Sequence, residues 1–196
     1  MTGASGAPYG LRLLERLLHA GRPVHLMLSQ PAQVVIGMET DLRLPARPAE
    51  QARYLAERYG AAPGQLQVYG ERQWTAPMAS GSGVDEAMVI CPCTTGTLAA
   101  VATGQSRSLM ERAADVCLKE RRRLLLVVRE TPFSEIHLEN MLRLTRMGAV
   151  VLPANPGFYH RPASVDDLVD FVVARVLDQL GIAQDLLPPW GVQDSD

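Results

Sequence analysis

Long hydrophobic runs and a strong net charge are both missing from this sequence of 196 residues. No apolar stretch approaches the ~20 residues needed to cross a bilayer, so we expect no membrane span. The net charge of -2 argues against broad binding to nucleic acid or to a membrane surface, because both need a cationic face. The first residues lack the charged and apolar regions of a signal peptide, which favours a cytoplasmic protein.

Cysteine is also scarce, and its odd count argues against a disulfide framework. The 3 cysteines are Cys91, Cys93 and Cys117, which suits reduced thiols in a cytoplasm. The Cys-x-Cys pair has no second pair or histidine at zinc-site spacing. We therefore interpret these cysteines as small apolar filler and predict no bound metal, with a metal site as the alternative.

Apolar residues make up 47% of the chain, enough to bury the core of one domain. Short β-rich runs alternate with helical patterns, which is typical of βαβ units and a parallel sheet. We predict an α/β fold with helices on both faces of that sheet, in a single domain over residues 1–182, followed by a C-terminal arm or tail over 183–196. The predicted helices cover 11–18, 32–39, 50–59, 95–102, 109–120, 134–147 and 164–180, and the predicted strands cover 24–29, 87–91, 124–129 and 149–152. The segment 61–83, rich in Gly, Pro and Ser, is left unassigned.

The chain opens on a Gly-rich turn, Gly3-Ala4-Ser5-Gly6, that leads directly into a predicted helix. Glycines let the backbone approach an anion, and the free amides and dipole of the helix start stabilise phosphate. An ordinary helix cap is the alternative for an isolated match of this kind. In nucleotide-binding α/β folds such a turn follows the first strand, and almost no residues precede it here. We therefore expect a truncated first strand and a gap in the sheet.

Polar residues also follow two of the predicted core strands, at the sheet edge where open α/β sheets bind ligands. The segment Thr94-Thr95-Gly96-Thr97 lies between a strand and a helix start and forms a second polar cradle. Arg129 and Glu130 follow the apolar strand LLLVV. A carboxylate in such a place can exchange protons with a substrate.

The remaining basic and aromatic residues give weaker signals by themselves. The run Arg121–Arg123 is typical of a solvated helix end, and Arg175 alone predicts a surface charge. In the loop after the last strand, Tyr159 could donate a hydrogen bond to a phosphate. We interpret His160 as structural, with a role as a base as the alternative.

Taken together, these segments resemble the UbiX-type flavin prenyltransferases of the homo-oligomeric flavin-containing Cys decarboxylase-like superfamily. The resemblance covers nearly the whole chain and is carried by the blocks TGASG, CPCTTGTLAAVATG, RAADVCLKERRRLLLVVRETP and MLRLTRMGAVVLPANPGFYHRPASVDDLVDFVVARVLDQLGI. It implies a Rossmann-like, flavodoxin-type subunit in a large homo-oligomer, often a dodecamer, with FMN between subunits.

The implied activity is the transfer of a dimethylallyl group from dimethylallyl monophosphate to nitrogen-5 and carbon-6 of reduced FMN, without a metal. The product, prenylated FMN, would serve a UbiD-type decarboxylase. Ubiquinone biosynthesis and aromatic acid breakdown both stay open as the pathway. The monophosphate and the diphosphate also stay open as the donor.

The resemblance further implies roles for individual residues. Those that would hold the phosphate side of FMN are Gly3, Ala4, Ser5, Ser29, Thr94, Thr95, Gly96 and Thr97, and Arg129 would also contact FMN. Those that would hold the prenyl phosphate are Arg112, Lys119, Tyr159 and Arg175, with Trp190 covering the prenyl pocket. Glu130 would be the acid/base, and the residues assisting it at the reaction centre would be Ser5, Glu39 and Lys119. Gly96 departs from the pattern, because many relatives carry Lys or Arg there, so one contact is expected to be lost or made by backbone.

Two alternatives remain at this point. A Cys decarboxylase of the wider superfamily is disfavoured because the chain has no Pro-x-Met-Asn segment to hold that substrate. A non-catalytic FMN carrier, or an accessory subunit of a decarboxylase, needs only the FMN cradle. The joint presence of Lys119, Glu130, Tyr159 and Arg175 argues against a carrier.

Overall fold

The computed structural model describes residues 1–188, and its strands are all parallel. One sheet pairs β1 (Val24–Met27) with β2 (Leu66–Tyr69). The other sheet has the order β3 (Ala87–Cys93), β4 (Arg123–Val128) and β5 (Val150–Pro153). The helices are α1 (Ala7–His19), α2 (Gln30–Glu39), α3 (Pro48–Tyr59), α4 (Thr95–Ala102), α5 (Leu109–Lys119), α6 (Glu135–Arg146) and α7 (Val165–Leu180). The predicted α/β fold is thereby confirmed.

Side-chain caps fix where many of these helices begin. In each case a hydroxyl before the first turn accepts a hydrogen bond from a backbone N–H inside it, which satisfies a donor that the helix itself cannot. The capping residues are Ser29 for α2, Thr94 for α4, Ser108 for α5, Ser134 for α6 and Ser164 for α7.

The core lies on both faces of β4, whose residues Leu124–Val128 are at most 1% exposed. Helices α1 and α7 pack against one face of the β3-β4-β5 sheet, and α4, α5 and α6 pack against the other. A strand covered on both faces has to be apolar at every position, which explains the uninterrupted run LLLVV. Helices α2 and α3 pack with α1 around the smaller sheet.

The two sheets are not hydrogen-bonded to each other over residues 1–188, so a gap separates the edges of β1 and β3. The His25 ring of β1 pairs with Asp85, just before β3, at 2.9 Å across it. At the carboxyl end the first two residues bridge it. The Met1 amine donates to the Met27 carbonyl at 2.7 Å, and the Thr2 amide donates to the Pro92 carbonyl at 3.2 Å. These bonds hold the Gly-rich turn at the carboxyl edge of both sheets, where the functional residues were predicted.

The start of the predicted tail packs against the domain. Leu186 packs against the core formed by α1, α7 and the larger sheet, and Asp185 forms an ion pair with Arg16. Trp190, which the resemblance assigns to the prenyl pocket, lies outside the described residues.

None of the helices described up to residue 188 has the length and apolar character needed to cross a membrane.

Candidate active site at the carboxyl edge of the sheets

Four chain segments meet at the carboxyl edge and form what we call the carboxyl-edge site. They are the turn 3–6, Ser29 with Glu39 at the two ends of α2, the turn 94–97 at the start of α4, and Arg129 with Glu130 after β4. Ser29, the turn 94–97 and Arg129 with Glu130 each follow the end of a parallel strand, so chain order brings them to this edge. Hydrogen bonds bring the turn 3–6 and Glu39 to them.

Thr2 fixes the Gly-rich turn to the turn at the start of α4, and sequence reasoning missed it. Its side chain is 4% exposed, donates to the Pro92 carbonyl at 2.8 Å and accepts from the Thr94 amide at 2.8 Å. A buried hydroxyl that both donates and accepts is fully satisfied, so it acts as a rigid link. The only sequence signal was its position next to Gly3.

Glu39 lies on the N-terminus of α1. Its carboxylate accepts from the amides of Gly6 and Ala7 at 2.9 and 2.8 Å. Gly6 has φ +108°, a left-handed conformation that directs these amides outward and that side chains rarely adopt. The Gly-rich turn and helix start therefore hold a carboxylate in this structure, although their pattern predicted an anion site for phosphate.

The environment of Glu39 favours its charged form. Burial by itself raises the pKa of the Glu39 carboxyl, but hydrogen bonds from the Ser5 side chain and from the amides of Gly6 and Ala7, together with the charge of Arg129, hold the pKa below its ordinary value. Ser5 and Glu39, both implied at the reaction centre, are thus in direct contact.

The turn at the start of α4 presents a set of hydroxyls. Thr94 caps the helix, accepting from the Thr97 amide at 3.1 Å, and the two hydroxyls are 2.9 Å apart. A Cβ added at Gly96 would meet nothing within 4 Å, so the space for a longer side chain is open beside the turn. Gly96 itself is exposed, at the position where the resemblance led us to expect a cation.

Arg129 and Glu130 reach the site from the end of β4. The Arg129 Nε donates to the Ser5 carbonyl at 3.2 Å, which connects β4 to the Gly-rich turn. The Glu130 carboxylate accepts from the Thr131 amide at 3.1 Å, and the Thr95 hydroxyl lies 3.5 Å from its other oxygen. One oxygen is therefore held by backbone, and the other faces the threonine turn.

The cysteines lie in the core rather than in the site. Burial raises the pKa of Cys91 and Cys93 to about 12 and that of Cys117 to about 11. A thiol that stays protonated is a poor metal ligand, since binding requires the thiolate. Over residues 1–188 no three His, Cys, Asp or Glu side chains are grouped as a metal site would require.

Of two residues on α5 that are implied to hold the prenyl phosphate, Lys119 lies at the other end of the subunit from Glu130. Lys119 ends α5, next to the start of β4, and forms an ion pair with Glu120. Arg112 donates to the Ala79 carbonyl at 3.0 Å and pairs with Asp115 at 2.9 Å. Glu130 follows the opposite end of β4, roughly 20 Å away by the rise per residue of a strand. One subunit does not bring Lys119 to Glu130.

The other two prenyl-phosphate candidates lie near α7. The Tyr159 ring packs edge-on against Phe171, with centroids 5.8 Å apart, and Arg175 pairs with Asp178 at 2.7 Å on the exposed side of the helix. The His160 ring stacks on Phe171 at 5.4 Å, and its ring nitrogens are buried without a partner among the described residues. This packing places His160 against α7.

The carboxyl-edge site fits FMN in its donor chemistry. Helices α2 and α4 begin there with capped, exposed first turns, and a helix start favours a phosphate. Hydroxyls at Ser29, Thr95 and Thr97 provide partners for a phosphate or a polyol chain, and Arg129 adds a positive charge.

Comparison with known proteins bears on this site. The chain matches the Flavoprotein family over residues 1–177. It is 63% identical over 193 residues to the flavin prenyltransferase UbiX of Pseudomonas aeruginosa, covering 98% of this chain and 92% of that protein. It is 46% identical over 191 residues to the flavin prenyltransferase UbiX of Halalkalibacterium halodurans, covering 97% of this chain and 91% of that protein.

The chain is also similar to solved structures of UbiX-type proteins. AnUbiX (PadA1) in complex with FMN and dimethylallyl pyrophosphate is 41% identical and superposes with a TM-score of 0.87, covering 99% of this chain and 96% of that one. The dodecameric FMN-dependent UbiX-like decarboxylase from Escherichia coli O157:H7 is 40% identical with a TM-score of 0.78, covering 93% and 96%. The cysteine decarboxylase TvaF is only 17% identical with a TM-score of 0.58, so it shares the fold alone.

Proposed function

Because the chain belongs to the Flavoprotein family and, within it, to the UbiX-type flavin prenyltransferases, we propose that its carboxyl-edge site moves a dimethylallyl group from dimethylallyl monophosphate to reduced FMN. The observation that carries this proposal is the grouping of Ser5, Glu39, Arg129 and Glu130 beside two capped helix starts. We further propose that residues 1–182 form one FMN-binding domain.

We assign the FMN phosphate to the starts of α2 and α4 rather than to the start of α1. The first amides of α1 already bind the Glu39 carboxylate, and a second anion there would be repelled. Ser29 and the turn Thr94–Thr97 offer hydroxyls and amides at the other two starts. Gly3, Ala4 and Ser5 then border the flavin ring, with Arg129 held against them.

Reduced FMN supplies the nucleophilic nitrogen-5 and carbon-6 of the reaction. The bond to nitrogen-5 would replace the C–O bond to phosphate, which leaves with the electron pair. The bond to carbon-6 would use the prenyl double bond, whose other carbon gains a proton, and Glu130 would take up the proton that leaves carbon-6. The Thr131 amide holds one oxygen of Glu130 and orients the other toward the Thr95 side of the site. Ser5 and Glu39, which are hydrogen-bonded to each other, assist by holding charge and protons beside the ring.

The prenyl phosphate needs cations that a single subunit does not supply next to Glu130. Lys119 lies at the other end of the subunit, and Arg112 and Arg175 are engaged by Asp115 and Asp178. We propose that neighbouring copies bring such cations, together with Tyr159, to the site in a homododecamer. Cations and hydroxyls stabilise the departing phosphate by charge-assisted hydrogen bonds. Trp190 would cover the prenyl group.

The product class follows from this chemistry. We propose that prenylated FMN passes to a UbiD-type decarboxylase, with ubiquinone biosynthesis as one pathway served. The three free buried thiols support a reducing compartment, and we place the enzyme in the cytoplasm.

Mixing two inactive variants tests the shared site. Lys119→Ala and Glu130→Gln should each be inactive alone, because each removes one half of every site. Co-refolded or co-expressed in equal amounts, they should regain roughly a quarter of the wild-type rate, since a site made from two subunits then has about a one-in-four chance of being intact. No recovery in mixed oligomers of confirmed composition would contradict a site made across subunits.

Mass spectrometry of the bound flavin separates this function from the alternatives. Incubation with reduced FMN and dimethylallyl monophosphate should yield FMN heavier by one prenyl group. Bound but unmodified FMN would indicate a carrier. Release of carbon dioxide from a cysteine-terminated substrate would instead indicate a decarboxylase.

A further inference from the structure

The loop between β5 and α7 is fixed to the domain at both ends. The Ala154 amide donates to a carbonyl of β4 at 2.9 Å, which continues the pairing of β5 with that strand. At the other end the Asp167 carboxylate accepts from the amides of Ala163 and Ser164 at 2.7 and 3.0 Å, as part of the capping of α7. Residues 155–162 therefore lie between two fixed points.

A tight turn inside this loop places two aromatic side chains next to each other. The Arg161 amide donates to the Phe158 carbonyl at 3.0 Å, so Tyr159 and His160 are the central residues of the turn. Their rings meet edge-on, with centroids 5.9 Å apart. The turn therefore fixes the two side chains relative to each other.

Phe171 of α7 packs against both rings of the turn. The His160 ring stacks on Phe171, with centroids 5.4 Å apart and planes 15° apart, and the Tyr159 ring meets Phe171 edge-on at 5.8 Å. Aromatic pairs attract each other in both of these arrangements. We call Tyr159, His160 and Phe171 the ring cluster. Because Tyr159 is 61% exposed, the cluster holds a side chain whose larger part faces outward.

Gly157 lies against the ring cluster and leaves no room for a side chain. A Cβ added to Gly157 would lie 2.9 Å from the Tyr159 ring and 3.0 Å from the Phe171 ring. The backbone of Gly157 is outside the left-handed region, so glycine is required here for space alone. The Tyr159 ring is the more exposed of the two, and it is therefore the ring that would have to move.

His160 contributes a flat ring to the cluster rather than a hydrogen bond. Both of its ring nitrogens are buried and have no partner within residues 1–188. A buried polar atom without a partner lowers stability, and a base must reach the proton that it takes up. The geometry uses the face of the imidazole, which lies on Phe171.

We propose that the ring cluster, packed against Gly157, fixes the direction of Tyr159 and thereby sets the affinity for the prenyl phosphate. Phe171 and His160 are then positioning residues. This role rests on the proposed transfer from dimethylallyl monophosphate, in which Tyr159 donates a hydrogen bond to the phosphate. A side chain that is held in its bound orientation before the ligand arrives loses less conformational entropy on binding. The hydrogen bond is present before and during transfer, so its loss raises KM more than it lowers kcat.

A double-mutant cycle tests whether Gly157 acts through Tyr159. Gly157→Ala displaces the ring and Tyr159→Phe removes the hydroxyl, so each should raise the KM for dimethylallyl monophosphate about tenfold and should change kcat and FMN affinity less than about twofold. In the double variant the KM should be no higher than in Tyr159→Phe, because the displaced ring then carries no hydroxyl. Gly37→Ala, with open space around it, is the matched control and should change none of these values.

Additive effects in the double variant, with a KM raised about a hundredfold, would overturn the proposal, because a general disturbance of the loop adds to the loss of the hydroxyl. A wild-type KM in Gly157→Ala would overturn it as well. A wild-type enzyme that leaves FMN unmodified would instead remove the proposed function, and the positioning role would fall with it.

Substitutions of His160 give an independent measurement. His160→Ala removes the stacked ring and should raise the KM for dimethylallyl monophosphate about as much as Gly157→Ala. His160→Phe keeps a flat ring on Phe171 and should bring the KM to within about threefold of the wild type. An equal loss in both His160 variants would show that the imidazole nitrogens act in binding, and it would overturn the role of the stacked rings.

Discussion

At the scale of single residues, Glu130 is the group on which the proposed proton transfer depends. Glu130→Gln keeps the size of the side chain and an oxygen for the Thr131 amide, so FMN should bind as before. It removes the base, and turnover should fall by about 10²–10⁴-fold. Glu57→Gln on the exposed side of α3 is the matched control. Flavin titration and single-turnover kinetics separate the two effects, and equal turnover in both variants would remove Glu130 from its role.

Arg175 is expected to act on the prenyl phosphate. Arg175→Ala should weaken binding of dimethylallyl monophosphate by roughly 10- to 100-fold, because a charge-assisted hydrogen bond is lost, and should leave FMN affinity nearly unchanged. Arg53→Ala, another exposed helical arginine, should change neither. Titrating both ligands against both variants measures this. A larger loss for FMN than for the prenyl phosphate would place Arg175 at the flavin instead.

Glu39 should give the protein part of its stability against acid. The pKa of Glu39 is held below the ordinary value of 4.5 in the folded state. Its contribution to folding stability is therefore complete above pH 4.5 and is lost as the pH falls through the folded-state pKa. Glu39→Gln should therefore be less stable than the wild type near neutral pH and should lose less stability on acidification. Urea unfolding from pH 7 to pH 3, with Glu50→Gln as control, measures the difference. Parallel curves for Glu39→Gln and the wild type would show that this carboxylate has no such linkage.

At the scale of the element, the turn before α1 depends on Gly6. Its φ of +108° is strained for any other residue, and a Cβ would lie 2.7 Å from the Tyr9 ring. Gly6→Ala should cost about 1–3 kcal/mol of stability and should weaken the Glu39 contact, because the amides of the turn must rotate. Gly37→Ala, inside α2 with open space around it, should instead be neutral or stabilising. Chemical unfolding of both variants tests the contrast, and an equal loss in each would remove the conformational explanation.

Most element positions could be predicted from the sequence, because their signals are local. The run LLLVV predicted β4, and the helix predicted over 95–102 has those bounds in the structure. Strand β2 was missed: Leu66–Tyr69 has only 4 residues among Gly and Pro, and its pairing with β1 is a long-range contact. The meeting of the four segments in the site followed from chain order, whereas the Thr2 link and the Glu39 contact depend on side-chain directions that no pattern encodes.

At the scale of the whole molecule, the sequence predicted a gap in the sheet, whereas the surfaces that a single subunit leaves uncovered were not predicted. The gap that the sequence led us to expect in the sheet lies between β1 and β3. The exposed apolar side chains of α6 were not predicted, because the pattern over 134–147 indicates a helix without showing which of its faces is covered. Only the packing shows that Leu144 faces the core while Leu138 and Leu142 face outward.

The outward face of α6 should therefore hold the homo-oligomer together. Ile136, Leu138 and Leu142 are each more than half exposed, and burying each leucine between subunits is worth about 1.5–3 kcal/mol. The double variant Leu138→Asp with Leu142→Asp should dissociate into smaller species, because charges would be buried at the contact. It should also lose turnover with Glu130 intact, since the cations of the prenyl-phosphate site would no longer reach it.

Analytical ultracentrifugation and circular dichroism distinguish dissociation of this double variant from unfolding, and Glu57→Lys on α3 is the control. A folded, fully active monomer would contradict both the assembly and the shared site, whereas an unchanged oligomer would place the contact on another face.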